Sequence, residues 1–161
     1  MILSNVQTID VFVNSAKLND LKILHLSDLH INKKTNLENV QKLVNLCNDL
    51  VFDFCVITGD IIDTKVKFIK EQLQILNTLK FKVYYISGNH DFFYGLEDLK
   101  NELSNFIFMD NSCKEFIYKN ETIFLAGLPD RFSKFFGIKR EEEKIKNYLL
   151  NEPSIFISHQ P

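Results

Sequence analysis

Val83-Tyr84-Tyr85-Ile86-Ser87-Gly88-Asn89-His90-Asp91 passes abruptly from apolar residues into a polar turn. Its β-branched and aromatic residues read as a strand, and Gly88-Asn89 is turn chemistry that ends it. The same form recurs three times along the chain. Lys22-Ile23-Leu24-His25-Leu26-Ser27 ends in Asp28-Leu29-His30, Phe52 to Thr58 ends in Gly59-Asp60, and Ser154 to Ser158 delivers His159. Between these strands, Leu37, Val40, Val44 and Cys47 recur at helical spacing behind Thr35-x-x-Glu38, which has the form of a capping box. Ile69, Leu73, Leu76 and Leu79 mark a second amphipathic helix, and Leu96, Leu99 and Leu103 a third, shorter one. Strands alternating with helices predict an α/β fold with a largely parallel sheet and crossover helices.

Outside this alternation the pattern changes. Val6 to Val13 alternates well enough to predict a first, edge strand. After Phe106 two apolar segments, Glu115 to Tyr118 and Thr122 to Leu125, flank Lys119-Asn120-Glu121 and predict a hairpin. Arg140 to Leu150 reads as a charged surface helix. With no linker, repeat or low-complexity stretch, residues 1–161 are expected to form one domain.

Composition narrows the function classes. A chain of 161 residues can bury roughly 70% of its unfolded surface, enough for a core without disulfides. The net charge of -2 argues against a general nucleic-acid surface. Cys47, Cys55 and Cys113 form no C-x-x-C pair, so neither a disulfide framework nor a structural zinc clip is expected, and a reducing, cytoplasmic setting fits. No apolar run approaches the roughly 18 residues of a membrane span, and Met1-Ile2-Leu3-Ser4-Asn5 lacks the pattern of a signal peptide. Phosphate-loop, dinucleotide and serine-hydrolase motifs are absent.

The informative fact is where the polar residues fall. Asp28 with His30, Asp60, Asn89 with His90, and His159 each follow a separate apolar strand. Ligands of open α/β sheets bind in the crevice beyond the carboxyl ends of the strands. Four strand ends would therefore bring carboxylates, an amide oxygen and imidazoles into one cleft, a donor set suited to Mn, Fe or Zn, with Mg also admissible. Two such ions about 3.5–4 Å apart can clamp the attacking and leaving oxygens of an in-line displacement at phosphorus. A further histidine that binds no metal can protonate the leaving oxygen, steadied by a neighbouring carboxylate.

Asp28-Leu29-His30, Gly59-Asp60, Gly88-Asn89-His90-Asp91 and Ser158-His159 resemble, in order and in their spacing of about thirty residues between the first three, the motifs of the calcineurin-like metallophosphoesterases. Leu26-Ser27-Asp28-Leu29-His30 and Ser158-His159-Gln160-Pro161 resemble the bacterial branch, whose members often carry a membrane anchor; peripheral membrane association is an expectation from that likeness. The resemblance runs from Lys22 to Pro161. It implies a sandwich of two β-sheets flanked by helices, and hydrolysis of a phosphate mono- or diester, or a pyrophosphate, by a hydroxide bridging two divalent ions. By the same likeness Asp28 and His30 bind the first metal, Asp60 bridges both, and Asn89 and His159 bind the second. His90 acts on the leaving group, with Asp91 as its orienting partner.

One departure stands beside this. The family pattern continues to a Gly-His-x-His motif that supplies one more ligand to each metal, and no Gly-His pair occurs in this sequence. The expectation is a fragment, with the C-terminal part of the fold missing. The alternative is an impaired or inactive relative acting as a scaffold or interaction module, and a third is a partner chain that lends the missing imidazoles.

Other residues carry blander readings. His25 lies within a strand and reads as a sheet-face histidine. Asp63 reads first as a helix cap or loop support. Phe92-Phe93-Tyr94 suits either a cleft wall or the core. Arg131 reads as an exposed loop charge, and Lys139 to Lys146 as a solvated helix face. Cys47 and Cys55 fall at buried positions and are expected to be inert.

Overall fold

The computed structural model describes residues 6–13, 15–150 and 153–160. Met1 to Asn5, where no leader is expected, and Pro161, which closes the last motif, lie outside the described residues.

The first sheet is wholly parallel. Strands β1 (Ile23–Leu26), β2 (Phe54–Thr58), β3 (Val83–Ile86) and β4 (Phe106–Phe108) lie side by side in chain order. Helices α1 (Leu37–Asp49), α2 (Lys70–Leu76), α3 (Asn89–Tyr94) and α4 (Leu96–Glu102) make the crossovers. The second sheet holds β5 (Ser112–Tyr118), β6 (Glu121–Gly127) and β7 (Ser154–Ile157), with β5 antiparallel and β7 parallel to β6. Helix α5 (Glu142–Leu149) joins β6 to β7.

Strand periodicity explains the layering, because successive side chains point to opposite faces. In β2, Cys55 and Ile57 pack with Leu43, Val44, Leu73, Leu76 and Leu99 of the helices, while Phe54 and Val56 pack with Leu125 and Ile157 of the second sheet. Val83 and Tyr85 of β3 join the helical side; Ile86 and Tyr84 join the sheet–sheet side. A strand covered on both faces reads as a continuous apolar run. On the far side of the second sheet, Ile145 of α5 packs on Ala126 and Leu128. The result is the expected two-sheet α/β sandwich with flanking helices. Among the described residues no helix is long and apolar enough to cross a membrane.

Several local expectations need correction. Residues 6–13 form no strand; they lie exposed, Phe12 at 98%. Alternation becomes a strand only where a neighbour supplies ladder hydrogen bonds and covers one face, and no described strand does so here. The cap of α1 is Asn36, not Thr35: Asn36 Oδ1 accepts from Glu38 N at 2.8 Å, and Thr35 Oγ1 instead accepts from Asn32 N. The helix foreseen from Ile69 to Leu79 is shorter, Lys70–Leu76, and is preceded by a 3-10 turn, Val66–Phe68. Neither β4, only three residues long, nor α3, which starts inside the Gly88-Asn89-His90-Asp91 turn, was foreseen, and the same holds for the 3-10 turns Ala16–Leu18 and Arg131–Phe136. The hairpin forms as expected, Lys119 and Asn120 both taking positive φ as a tight two-residue turn requires.

Candidate metal centre

The four polar turns meet at the carboxyl ends of β1, β2, β3 and β7, so both sheets contribute. The loops after β1 and β2 run alongside each other: Asp28 N donates to Gly59 O, His30 N to Asp60 O and Ile31 N to Ile61 O at 2.8–3.1 Å. Asp28, His30 and Asp60 take φ of 55, 45 and 54°, a left-handed backbone that costs about 1–3 kcal/mol per non-glycine residue and clusters at functional sites.

Asp60 is central and almost fully buried. Its Oδ1 accepts from His90 N at 2.9 Å. Its Oδ2 lies 3.5 Å from His159 Nε2 on one side and 4.0 Å from His30 Nε2 on the other. Asp28 Oδ1 is 3.7 Å from His30 Nε2, and Asn89 Oδ1 is 3.3 Å from His159 Nε2. Asp28 Oδ2 accepts from Ser27 Oγ. The Asp28, Asp60 and His159 donor atoms all lie within 4.8 Å of one another.

The hydrogen-bond roles favour a cation there. A carbonyl only accepts, so His159 Nδ1 donates to Thr58 O at 2.6 Å. Nε2 then faces Asn89 Oδ1 at 3.3 Å and Asp60 Oδ2 at 3.5 Å, two oxygens that only accept. Such a cluster lowers its energy by holding a positive ion, and anchoring the second ring nitrogen on a carbonyl is how proteins orient metal-bound histidines. His30 Nδ1 is also buried without a hydrogen-bond partner.

His90 belongs to a second group with His30 and Asp63. Asp63 Oδ1 sits 2.6 Å from His90 Nδ1 and 3.9 Å from His30 Nδ1, and the rings of His30 and His90 meet edge to face at 4.8 Å. Tyr94 faces His90 at 6.0 Å.

Asp91 departs from the expected role. It is fully buried and does not orient His90; its carboxylate accepts from Gly88 N, Asp60 N, Ile61 N, Ile62 N and the Tyr85 hydroxyl. At the third position of α3, such a side chain reaches back to the helix start and gathers neighbouring orphan N–H groups. Burial pushes its acid up to about 6, against the opposing pull of those donors. Burial, then the charge of Asp91, also raises the Tyr85 hydroxyl.

The structure thus brings together Asp28, His30, Asp60, Asn89, His90 and His159, and moves Asp91 beneath them as a loop anchor. Asp63 is the group the sequence reading undervalued: a carboxylate three residues past Asp60, in a loop that turns back toward β3. His25 lies outside the cluster, its Nε2 2.7 Å from Thr58 Oγ1, and burial lowers its pKa against the pull of Asp28. Arg131 is exposed as expected. Phe92 packs in the core and Phe93 stands in solvent. Cys47 and Cys55 are buried free thiols whose pKa values burial raises, Cys47 to about 11.

The family model described as calcineurin-like phosphoesterase matches residues 21–161. An uncharacterized metallophosphoesterase of Campylobacter jejuni is 31% identical over 163 residues, covering 97% of this chain and 42% of that protein. One of Helicobacter pylori is 28% identical over 152 residues, covering 88% and 39%. The chain therefore spans about two-fifths of the length of these relatives. Among solved structures, the NAD nucleotidase of Haemophilus influenzae superposes with a TM-score of 0.52 at 20% identity, covering 71% of this chain and 27% of that one, a likeness of fold.

Proposed function

Because the chain belongs to the calcineurin-like phosphoesterase family, matched over residues 21–161, we propose that it hydrolyses a phosphate ester, using two divalent cations held where β1, β2, β3 and β7 end. The observation that carries this reading is the Asp60 carboxylate set between two imidazoles, 3.5 Å from His159 Nε2 and 4.0 Å from His30 Nε2. A carboxylate so placed can bridge two ions, with Asp28 and His30 completing one and Asn89 and His159 the other.

Bound cations supply charge neutralisation at the phosphoryl group and a nucleophile at neutral pH. The protein's own part is positioning. The Asp91 carboxylate holds the backbone of residues 60–62, so the Asp60 carboxylate is presented without searching. His90, tied through Nδ1 to Asp63, keeps Nε2 free to give a proton to the leaving oxygen.

A scaffold or interaction module that binds metal poorly is the second reading. One experiment separates the two: the 161-residue chain is supplied with Mn²⁺ and assayed on p-nitrophenyl phosphate and on its bis ester. Phosphoester hydrolysis that chelation abolishes and Mn²⁺ restores is expected. Absence of both bound metal and hydrolysis would overturn the proposal in favour of the scaffold.

A further inference from the structure

We propose that Asp110, just past β4, is a positioning residue acting through Ser87 on Asn89 and His90, an inference that rests on the two-cation reading of the site. Strand β4 is only three residues long, and its last residue, Phe108, pairs with Tyr85 of β3. The ladder continues past it, with Met109 N donating to Tyr85 O at 2.7 Å. One step further, Asp110 meets Ser87. Its Oδ1 accepts from Ser87 N at 3.0 Å, and its Oδ2 accepts from Ser87 Oγ. One carboxylate thus fixes the backbone and the side chain of the same residue.

Ser87 is fully buried and is held from both sheets, because its carbonyl accepts from Asp130 N, in the loop after β6, at 3.1 Å. The next N–H groups bond within the site itself. Gly88 N donates to Asp91 Oδ2 and His90 N to Asp60 Oδ1, each at 2.9 Å. The turn has no room to absorb a shift: a Cβ on Gly59 would stand 2.7 Å from both Gly88 N and Gly88 Cα. Movement of Ser87 is therefore passed on to His90 and to Asn89, whose Oδ1 lies 3.3 Å from His159 Nε2.

A buried acid usually caps a helix or pairs with a cation. Among the described residues Asp110 caps no helix and makes no ion pair; Lys100 pairs with Glu97 and acts on Asp110 only from a distance. Both oxygens of Asp110 go to Ser87, and burial raises its pKa despite those bonds. The arrangement parallels the one at the end of β2, where Asp91 holds the backbone of residues 60–62. One carboxylate braces the Asp60 loop and the other braces the Asn89 turn. Loss of a partner behind a metal ligand typically lowers metal affinity about 10- to 100-fold.

The test compares Asp110→Ala, Asp110→Asn and Leu99→Ala, the last a core variant on the helical side of the first sheet. Hydrogen exchange is measured in the metal-free chain. Asp110→Ala should quicken exchange at Gly88 and His90, whose amides bond Asp91 and Asp60, about tenfold more than at Ile31, whose amide bonds Ile61 O. Leu99→Ala should quicken all three amides alike. In calorimetric titration with Mn²⁺, Asp110→Ala should weaken one of the two ions about 10- to 100-fold and leave the other unchanged. Asp110→Asn should restore both, since its Oδ1 still accepts from Ser87 N and its Nδ2 donates to Ser87 Oγ. If Asp110→Ala does not fold, Ser87→Ala, which removes only the hydroxyl contact, carries the same comparison. Uniform exchange across the three amides, equal weakening of both ions, or no recovery in Asp110→Asn would overturn the proposal. A parent chain that binds no Mn²⁺ would sink the two-cation reading instead, and the exchange pattern would still decide the role of Asp110.

Discussion

Asp63 Oδ1 lies 2.6 Å from His90 Nδ1, joining the loop after β2 to the first turn of α3. The contact holds the imidazole through Nδ1 and leaves Nε2 out of that bond. His30 meets the same ring edge to face at 4.8 Å, so the imidazole is confined from two sides. Asp63, and not Asp91, is thus the carboxylate in contact with His90.

Asp63→Asn should lower turnover about 100-fold, the scale of loss when a reacting group is misplaced, with metal content unchanged. Steady-state kinetics paired with metal analysis checks this. Loss of metal in parallel with activity would instead make Asp63 a ligand.

Asp60 and His90 should separate cleanly. Asp60→Ala removes the carboxylate between His30 and His159 and should abolish metal binding and turnover together. His90→Gln should keep most of the metal and lose about 100-fold or more in turnover. Isothermal titration with Mn²⁺ on both variants is the measurement, and equal loss of metal in the two would contradict the division of roles.

The layering of the fold was legible because β1, β2 and β3 are short apolar runs, each closed by a polar turn. The site was legible for the same reason: position at a strand end is a property of sequence order. Two things were not. Residues 6–13 alternate like a strand, but pairing depends on a neighbour that the local pattern does not encode. Asp91 follows Gly88 by three positions and Asp63 follows Asp60 by three. Each is a single acid close to candidate ligands, and sequence cannot tell which of them points to the imidazole. Burial decides it: Asp91 faces inward on α3 and meets backbone N–H groups, whereas half-buried Asp63 meets the ring.

Glycine at 88 is a steric requirement of the site. A Cβ there would stand 2.1 Å from Asp60 Oδ1 and 2.5 Å from Asp60 N. Gly88→Ala should displace Asp60 and abolish Mn²⁺ binding. Gly137→Ala is the control: φ is +74°, nothing lies within 4 Å, and the cost should be about 1 kcal/mol of stability with metal binding intact. Similar Mn²⁺ affinity in both variants would refute the steric account.

Asp91 links stability to pH with a definite sign. Its five donors are four backbone N–H groups and the Tyr85 hydroxyl, so Asp91→Ala strands buried donors and should cost about 3 kcal/mol or more. Burial holds the folded acid at about 6, above its unfolded value near 3.9. Between those values the folded state binds the proton more tightly, so this group's contribution is fully present below about pH 4 and is lost as pH rises through about 6. Asn at this position cannot titrate. The stability difference between the parent chain and Asp91→Asn should therefore be largest near pH 4, shrink up to about pH 6 and stay level above it. Urea unfolding of the metal-free proteins across that range measures it. A difference that widens with rising pH would mean that the five donors, not burial, govern the ionisation of this carboxylate.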